Sequence, residues 1–103
     1  MSADLPPVRK VRNPDGTTEY HIEADAEWDG FDAFVQYLKR YWQAEVSESE
    51  DWVTSRRWVL RVRGVPVSVY HDSQIGNYFL REDDADDQSL LEEIEADLLR
   101  RLR

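Results

Sequence analysis

His71, Asp72 and Ser73 place the three residue types of a hydrolase triad side by side. A working triad needs nucleophile, base and orienting acid to converge from separate segments. Three consecutive residues cannot do so, and the tripeptide reads as the end of a strand and its turn. His21 is the only other histidine. It could face His71 across a sheet, yet two imidazoles are weak grounds for a metal centre, because solvated sheet histidines are common. The run Asp83-Asp84-Ala85-Asp86-Asp87 invites a calcium test. An EF-hand register from Asp84 puts Ser89 where glycine is required and places Glu95 on a helix rather than in a loop. The run therefore reads as an acidic flank for the last helix, and no metal or cofactor is expected.

Other chemistry is excluded more directly. The 103 residues contain no cysteine, so thiol catalysis, iron–sulfur clusters, Cys-ligated zinc and disulfide scaffolds are out. The four glycines stand singly, so no glycine-rich phosphate loop exists. Arg57, Arg61, Arg63 and Tyr70 could form a sheet-face binding row. The aromatic platform of RNA-binding sheets is missing, and a net charge of −9 opposes nucleic acid. These arginines are expected to lie against Glu19 and Glu23 as cross-strand pairs. With no constellation meeting the geometric demands of catalysis, the chain is read as non-catalytic.

The elements that position these residues follow from patterning. Residues 1–7, with Pro6 and Pro7, read as a flexible tail, and 8–103 as a single domain. Asn13-Pro14-Asp15-Gly16 is a turn between strands 8–12 and 17–24, a β-hairpin. Asp29 is expected to cap a helix. Its apolar stripe runs Phe31, Phe34, Val35, Leu38 and Trp42, and it should end near Gln43 or Ala44. Residues 45–55 fit either a short edge strand or a loop.

Arg57–Arg63 alternates with Trp58, Leu60 and Val62 on one face, and Val65–His71 alternates again. A strand over 75–81 completes an antiparallel meander. Ser89 and Glu92 have capping-box spacing, and Leu90, Leu91, Ile94, Leu98 and Leu102 mark a terminal helix. The order is β-β-α-(β)-β-β-β-α. The expected fold is α+β, a two-layer sandwich with an antiparallel sheet of about five strands and two helices on one face. The other face should stay open, with Glu19, His21, Glu23, Arg57, Val59, Arg61, Arg63, Ser68 and Tyr70.

The stretch Trp58–Gly64, followed by Val67–Tyr70, Gly76–Phe79 and an acidic terminal helix, resembles small acidic bacterial domains, among them immunity proteins of interbacterial toxin systems. The resemblance spans about residues 28–102 and is one of strand, turn and helix order. It implies a cofactor-free domain that binds a cognate toxin, and it carries over no functional residue.

Charge points the same way. Residues 18–51 hold ten acids against two bases, an excess that attracts basic surfaces. A basic protein is the expected partner, docked on Asp25, Glu27, Glu45, Glu48, Glu50 and Asp51, with Tyr37, Tyr41 and Trp52 as anchors. The sheet row Arg57, Arg61, Arg63 and Tyr70 is the alternative site. A nucleic-acid-mimicking inhibitor of phage type is the alternative function, and a small enzyme or metal-binding domain the third. No apolar run is long enough to span a membrane and no signal peptide is visible, so a cytoplasmic monomer is expected rather than a homodimer.

Overall fold

The computed structural model describes residues 7–83 and 87–101. Residues 1–6 of the tail expected over 1–7, the calcium register at Asp84 and Asp86, and Leu102 lie outside these residues, whereas the Pro7 carbonyl accepts the Glu23 amide at 2.7 Å. The element order is β1 (Val8–Arg12), β2 (Thr18–Ile22), α1 (Trp28–Tyr41), β3 (Glu45–Asp51), β4 (Ser55–Val62), β5 (Val65–Asp72), β6 (Gly76–Leu80) and α2 (Ser89–Arg101). The fold is α+β, as the patterning implies. All six strands form one antiparallel sheet in the order β1-β2-β6-β5-β4-β3. The ambiguous stretch 45–55 thus holds a seven-residue edge strand, Glu45–Asp51, and the turn into β4, and the meander has four strands rather than three.

One face of the sheet carries Val8, Tyr20, Ile22, Phe79, Val67, Val69, Leu60 and Val62, all buried against the helices. Alternation along each strand sends these side chains to the same side. Phe34 of α1 stacks on Phe79 at 5.0 Å, and Phe31 meets Trp58 edge-on at 5.6 Å. Leu90, Leu91, Ile94 and Leu98 bring α2 onto the same core. Burial of these aliphatic and aromatic side chains, roughly 1.5–3 kcal/mol each, is the main force holding the layers together.

Local chemistry sets the ends of the elements. The Gly16 amide donates to the Asn13 carbonyl at 3.0 Å, and Gly16 takes the positive φ that closes this hairpin. At the β4–β5 link both Arg63 and Gly64 have positive φ, the two-residue turn that suits the twist of paired strands. Helix α1 starts at Trp28, not Asp29. Glu27 is its N-cap without a side-chain cap bond, and Asp29 sits in the first turn, where a negative charge still favours the dipole. The helix stops at Tyr41 because Gln43 turns left-handed and the Trp42 and Ala44 amides fold back onto the Leu38 carbonyl. At α2, the Ser89 amide bonds the Asp87 carboxylate at 2.9 Å, so Asp87 takes the capping part expected of Ser89.

Candidate docking surface

Three loops meet at one end of the sheet. They are the segment before α1, the β3–β4 turn and the β5–β6 turn. The Ser73 amide donates to the Thr54 carbonyl at 3.0 Å and ties the two turns together. The Asp72 carboxylate accepts the Gln74 amide at 2.8 Å, so it shapes its own turn and is not aimed at a neighbouring histidine. Gly76, at φ 106°, lies so close to Ala26 that an added Cβ would sit 3.0 Å from the Ala26 Cβ. The buried Asn77 then holds the pre-helix segment, donating to the carbonyls of Asp25 at 2.7 Å and Glu27 at 2.9 Å. Its amide oxygen faces His71 Nδ1 at 2.8 Å. Because the Asn77 nitrogen is spent on carbonyls, its oxygen must accept, which assigns the proton to His71 Nδ1.

The result is a concavity of about 350 Å³, lined by Glu27, Trp28, Val53, His71, Ile75 and the turn backbone around them. Three exposed large apolar side chains line it, Val53 at 95%, Ile75 at 58% and Trp28 at 36%, and Trp52, at 51%, precedes Val53 in the chain. Asp25, Asp51 and Asp72 stand in or beside the same loops, and among the described residues no lysine or arginine lines the concavity. The nearby cation, Arg56, is locked away. Its guanidinium lies over Trp28, Phe31 and Trp58 at 4.6, 4.3 and 5.1 Å. It pairs with Asp51 through Nε at 2.9 Å and approaches Asp32 through Nη1 at 2.9 Å. Hydrogen bonds from Arg56 and from the Trp58 indole hold the Asp51 carboxyl below the usual carboxylate range.

The docking residues expected from sequence divide into three places. Asp25, Glu27, Asp51 and Trp52 belong to this pole. Glu45, Glu48 and Glu50 run along the exposed β3 edge. Tyr37 and Tyr41 lie at the opposite end of α1. Tyr37 is half-buried between the helices, donating to Asp97 at 2.5 Å and accepting the Trp42 indole N–H at 2.8 Å. Arg101 covers the ring of Tyr41 at 4.0 Å. The sequence reading missed Trp28, Val53 and Ile75 as exposed apolar residues of this pole. For Val53 and Ile75 the available signal was a large apolar residue standing in a turn, where reversal of the chain leaves no sheet to bury it; Trp28, at the start of α1, gave no such signal.

The alternative sheet-face set separates as well. Arg57 and Tyr70 do meet, Nε to hydroxyl at 3.0 Å, and Tyr70 donates to Glu82 at 2.8 Å. Burial alone would raise the Glu82 carboxyl, but hydrogen bonds from Ser68, Tyr70 and Arg57 outweigh it and leave the group below its ordinary value. Arg61 turns to the Gly64 carbonyl at 3.2 Å. Arg63 is not on this face: from the turn it reaches Glu93 of α2 at 3.5 Å and lies over Trp42. Nor do the arginines pair with Glu19 and Glu23. Glu19 takes His21 at 2.8 Å and Glu23 takes Arg9 at 2.6 Å. His21 and His71 lie on opposite faces of the sheet, so they cannot share a ligand. The open face is lined by its own stacked rings, His21 on Tyr78 at 4.8 Å and Tyr78 on Tyr70 at 5.0 Å. Val59 and Ser68, expected to be open there, are buried beneath such side chains.

No protein-family model, curated protein or solved structure matches the chain. Among the described residues there is no group of three or more His, Asp or Glu placed to hold a metal ion, and no helix long and apolar enough to cross a membrane.

Proposed function

We propose that this chain is a non-catalytic binding protein whose three-loop pole docks a basic protein surface, in the manner of an immunity-type inhibitor covering a toxin domain in the cytoplasm. The observation that carries this reading is the meeting, at one pole, of exposed apolar side chains with Glu27 and the acids of the adjoining loops, while among the described residues no lysine or arginine lines the concavity. Interfaces draw their affinity from a few desolvated apolar anchors, while the surrounding charge steers encounter and rejects wrong partners. Trp28, Val53 and Ile75 have the first character, and Asp25, Glu27 and Asp72 the second. A nucleic-acid mimic is less well supported, because Glu45 and Glu50 of β3 are registered to Arg61 and Arg57 of β4, which offset part of their charge.

The test is affinity capture from lysate of the source cell with wild-type bait and with the double variant Val53→Asp/Ile75→Asp. A basic protein retained by wild type and lost from the variant is the expected result. A partner retained equally by both places docking elsewhere, and an acidic partner contradicts the charge argument.

A further inference from the structure

The sheet has two free edges of opposite charge. Among the described residues no strand lies beyond β1 or beyond β3. Strand β1 carries Arg9, Lys10 and Arg12, all exposed, with no acid. Strand β3 carries Glu45, Glu48, Glu50 and Asp51, all exposed, with no base. Free edges offer unpaired N–H and C=O groups to any strand that can approach, and charge is the usual means of choosing which strand may. Two β3 edges repel each other, and so do two β1 edges. A β1 edge against a β3 edge is the matched pair.

Topology permits that pairing. Six strands alternate in direction across the sheet, so β1 and β3, at its two ends, run oppositely. A second copy, shifted sideways without turning over, lays its β1 antiparallel to β3 of the first. The sheet then continues with its alternation intact, and the helices remain on one side. The faces match as well. Arg9 shares the open face with Glu48 and Glu50, because it is registered to His21 while they are registered to Val59 and Arg57. Lys10, registered to Tyr20, shares the helix face with Asp51, registered to Arg56. Pairing Glu50 with Arg9 brings Ser49 opposite Lys10, one diagonal step from Asp51. The present partners of these cations, Glu23 for Arg9 and Glu92 for Lys10, are surface pairs worth little and easily exchanged.

We infer that β3 accepts β1 of a second copy of this chain, giving weak head-to-tail assemblies at moderate salt. Such a contact is heterologous and does not close, so assemblies grow by adding copies. The β3 bulge between Val46 and Glu48 and the five-residue length of β1 keep the contact short, so the monomer is the state at high salt.

Sedimentation of wild-type protein should show mass rising with concentration at about 0.1 M ionic strength, where charges act over roughly 10 Å and the net −9 of each copy is largely screened, and monomer at about 1 M, where they act over roughly 3 Å. Carbodiimide coupling locates the contact. The chain has only two lysines, Lys10 and Lys39. Lys10 stands five strand spacings from β3, about 24 Å at roughly 4.8 Å each, so a zero-length bond from Lys10 to Glu48 or Glu50 can form only between copies. That cross-link in a dimer band is the expected product. The variant Arg9→Glu/Lys10→Glu/Arg12→Glu and the variant Glu45→Lys/Glu48→Lys/Glu50→Lys should each be monomeric at moderate salt, yet associate when mixed, although both stay net negative. Wild type that remains monomeric at moderate salt, with Lys10 coupled only to Glu92 of its own chain, overturns the inference and leaves the β3 edge to a basic strand of another protein. Association that gives dimer without a Lys10 link to β3 overturns it too. Neither result touches the pole, which the capture experiment tests separately.

Discussion

Asn77 donates its side-chain amide to the main-chain carbonyl of Asp25 across 52 residues of sequence, at 2.7 Å. The same nitrogen reaches the Glu27 carbonyl, so one buried amide on β6 fixes the segment that launches α1. Gly30 completes the arrangement, since a Cβ there would lie 2.5 Å from the Asp25 carboxyl carbon. The placement of Trp28 at the pole is therefore set from beneath, by Asn77 of the sheet and Gly30 of α1, both buried.

Asn77→Ala should lower stability by about 2–3 kcal/mol, the scale for leaving buried polar groups without partners. Urea unfolding measures this. Limited proteolysis should show new cleavage within residues 23–28, because the lost bonds belong to that segment. A variant as stable as wild type, with that segment still protected, would show that the loop is held by other contacts.

Leu38→Ala should cost about 2–5 kcal/mol, since Leu38 is fully buried in the core between α1 and the sheet. Val53→Ser should change stability by less than about 0.5 kcal/mol, as surface substitutions do. The contrast separates apolar residues that hold the fold from one left outside it. A large loss at Val53 would mean that the pole is packed in solution.

Core and surface were unequally legible in the sequence. The helical stripe Phe31, Phe34, Val35 and Leu38 and the alternation of Leu60 and Val62 state their own burial, because period and layer geometry coincide. Trp58, of the same strand pattern, is only half-buried, since it sits beside the exposed edge strand. Strand β3 hid because all seven of its residues are exposed and no alternation marks an edge wetted on both faces. Arg56 and Asn77 hid for the opposite reason. Their burial depends on partners brought together only by the fold, Trp28, Phe31 and Asp51 for one and a distant loop for the other. The pole combines both difficulties, since its three loops share no sequence period.

Arg56→Ala should destabilise by about 2–4 kcal/mol, through loss of its packing and of its contacts with three aromatic faces. Arg56→Met should lose less than about half of that. Methionine fills the aromatic cage, and Asp32 and Asp51 are each about half exposed and can turn to water. Thermal or urea unfolding of the two variants decides it. Equal losses would make the ion pairs, rather than the packing, the main contribution.

Acid sensitivity should trace in part to Asp97. Burial alone would raise its carboxyl, but the Tyr37 hydroxyl and Arg101 outweigh this and hold it below the ordinary value of 3.8. The folded value lies under the unfolded one, so the stabilisation is present above about pH 3.8 and is lost as pH falls through the folded value. Asp97→Asn should therefore lower stability at neutral pH and flatten the decline below pH 3.8, read from urea midpoints across that range. An unchanged slope would assign the decline to other carboxyls.

The two kinds of residue at the pole should separate kinetically once a basic partner is in hand. Rim acids act at a distance, through the field that draws a basic surface in, and salt weakens that field. Reversal of Asp25, Glu27 and Asp72 to lysine should slow association at least about tenfold at low ionic strength, with the difference shrinking as salt is added. Anchors act only after contact, by leaving water. Val53→Ala and Ile75→Ala should hardly alter association and should speed dissociation, where most differences among variants of one interface appear. Surface plasmon resonance at several salt concentrations resolves both rates. Glu45, Glu48 and Glu50 serve as the comparison, because they lie along the β3 edge and away from the concavity. If reversing these three slows association as much as reversing the rim, steering belongs to the whole acidic side. If the anchor substitutions leave dissociation unchanged, the apolar pole is not where the partner sits.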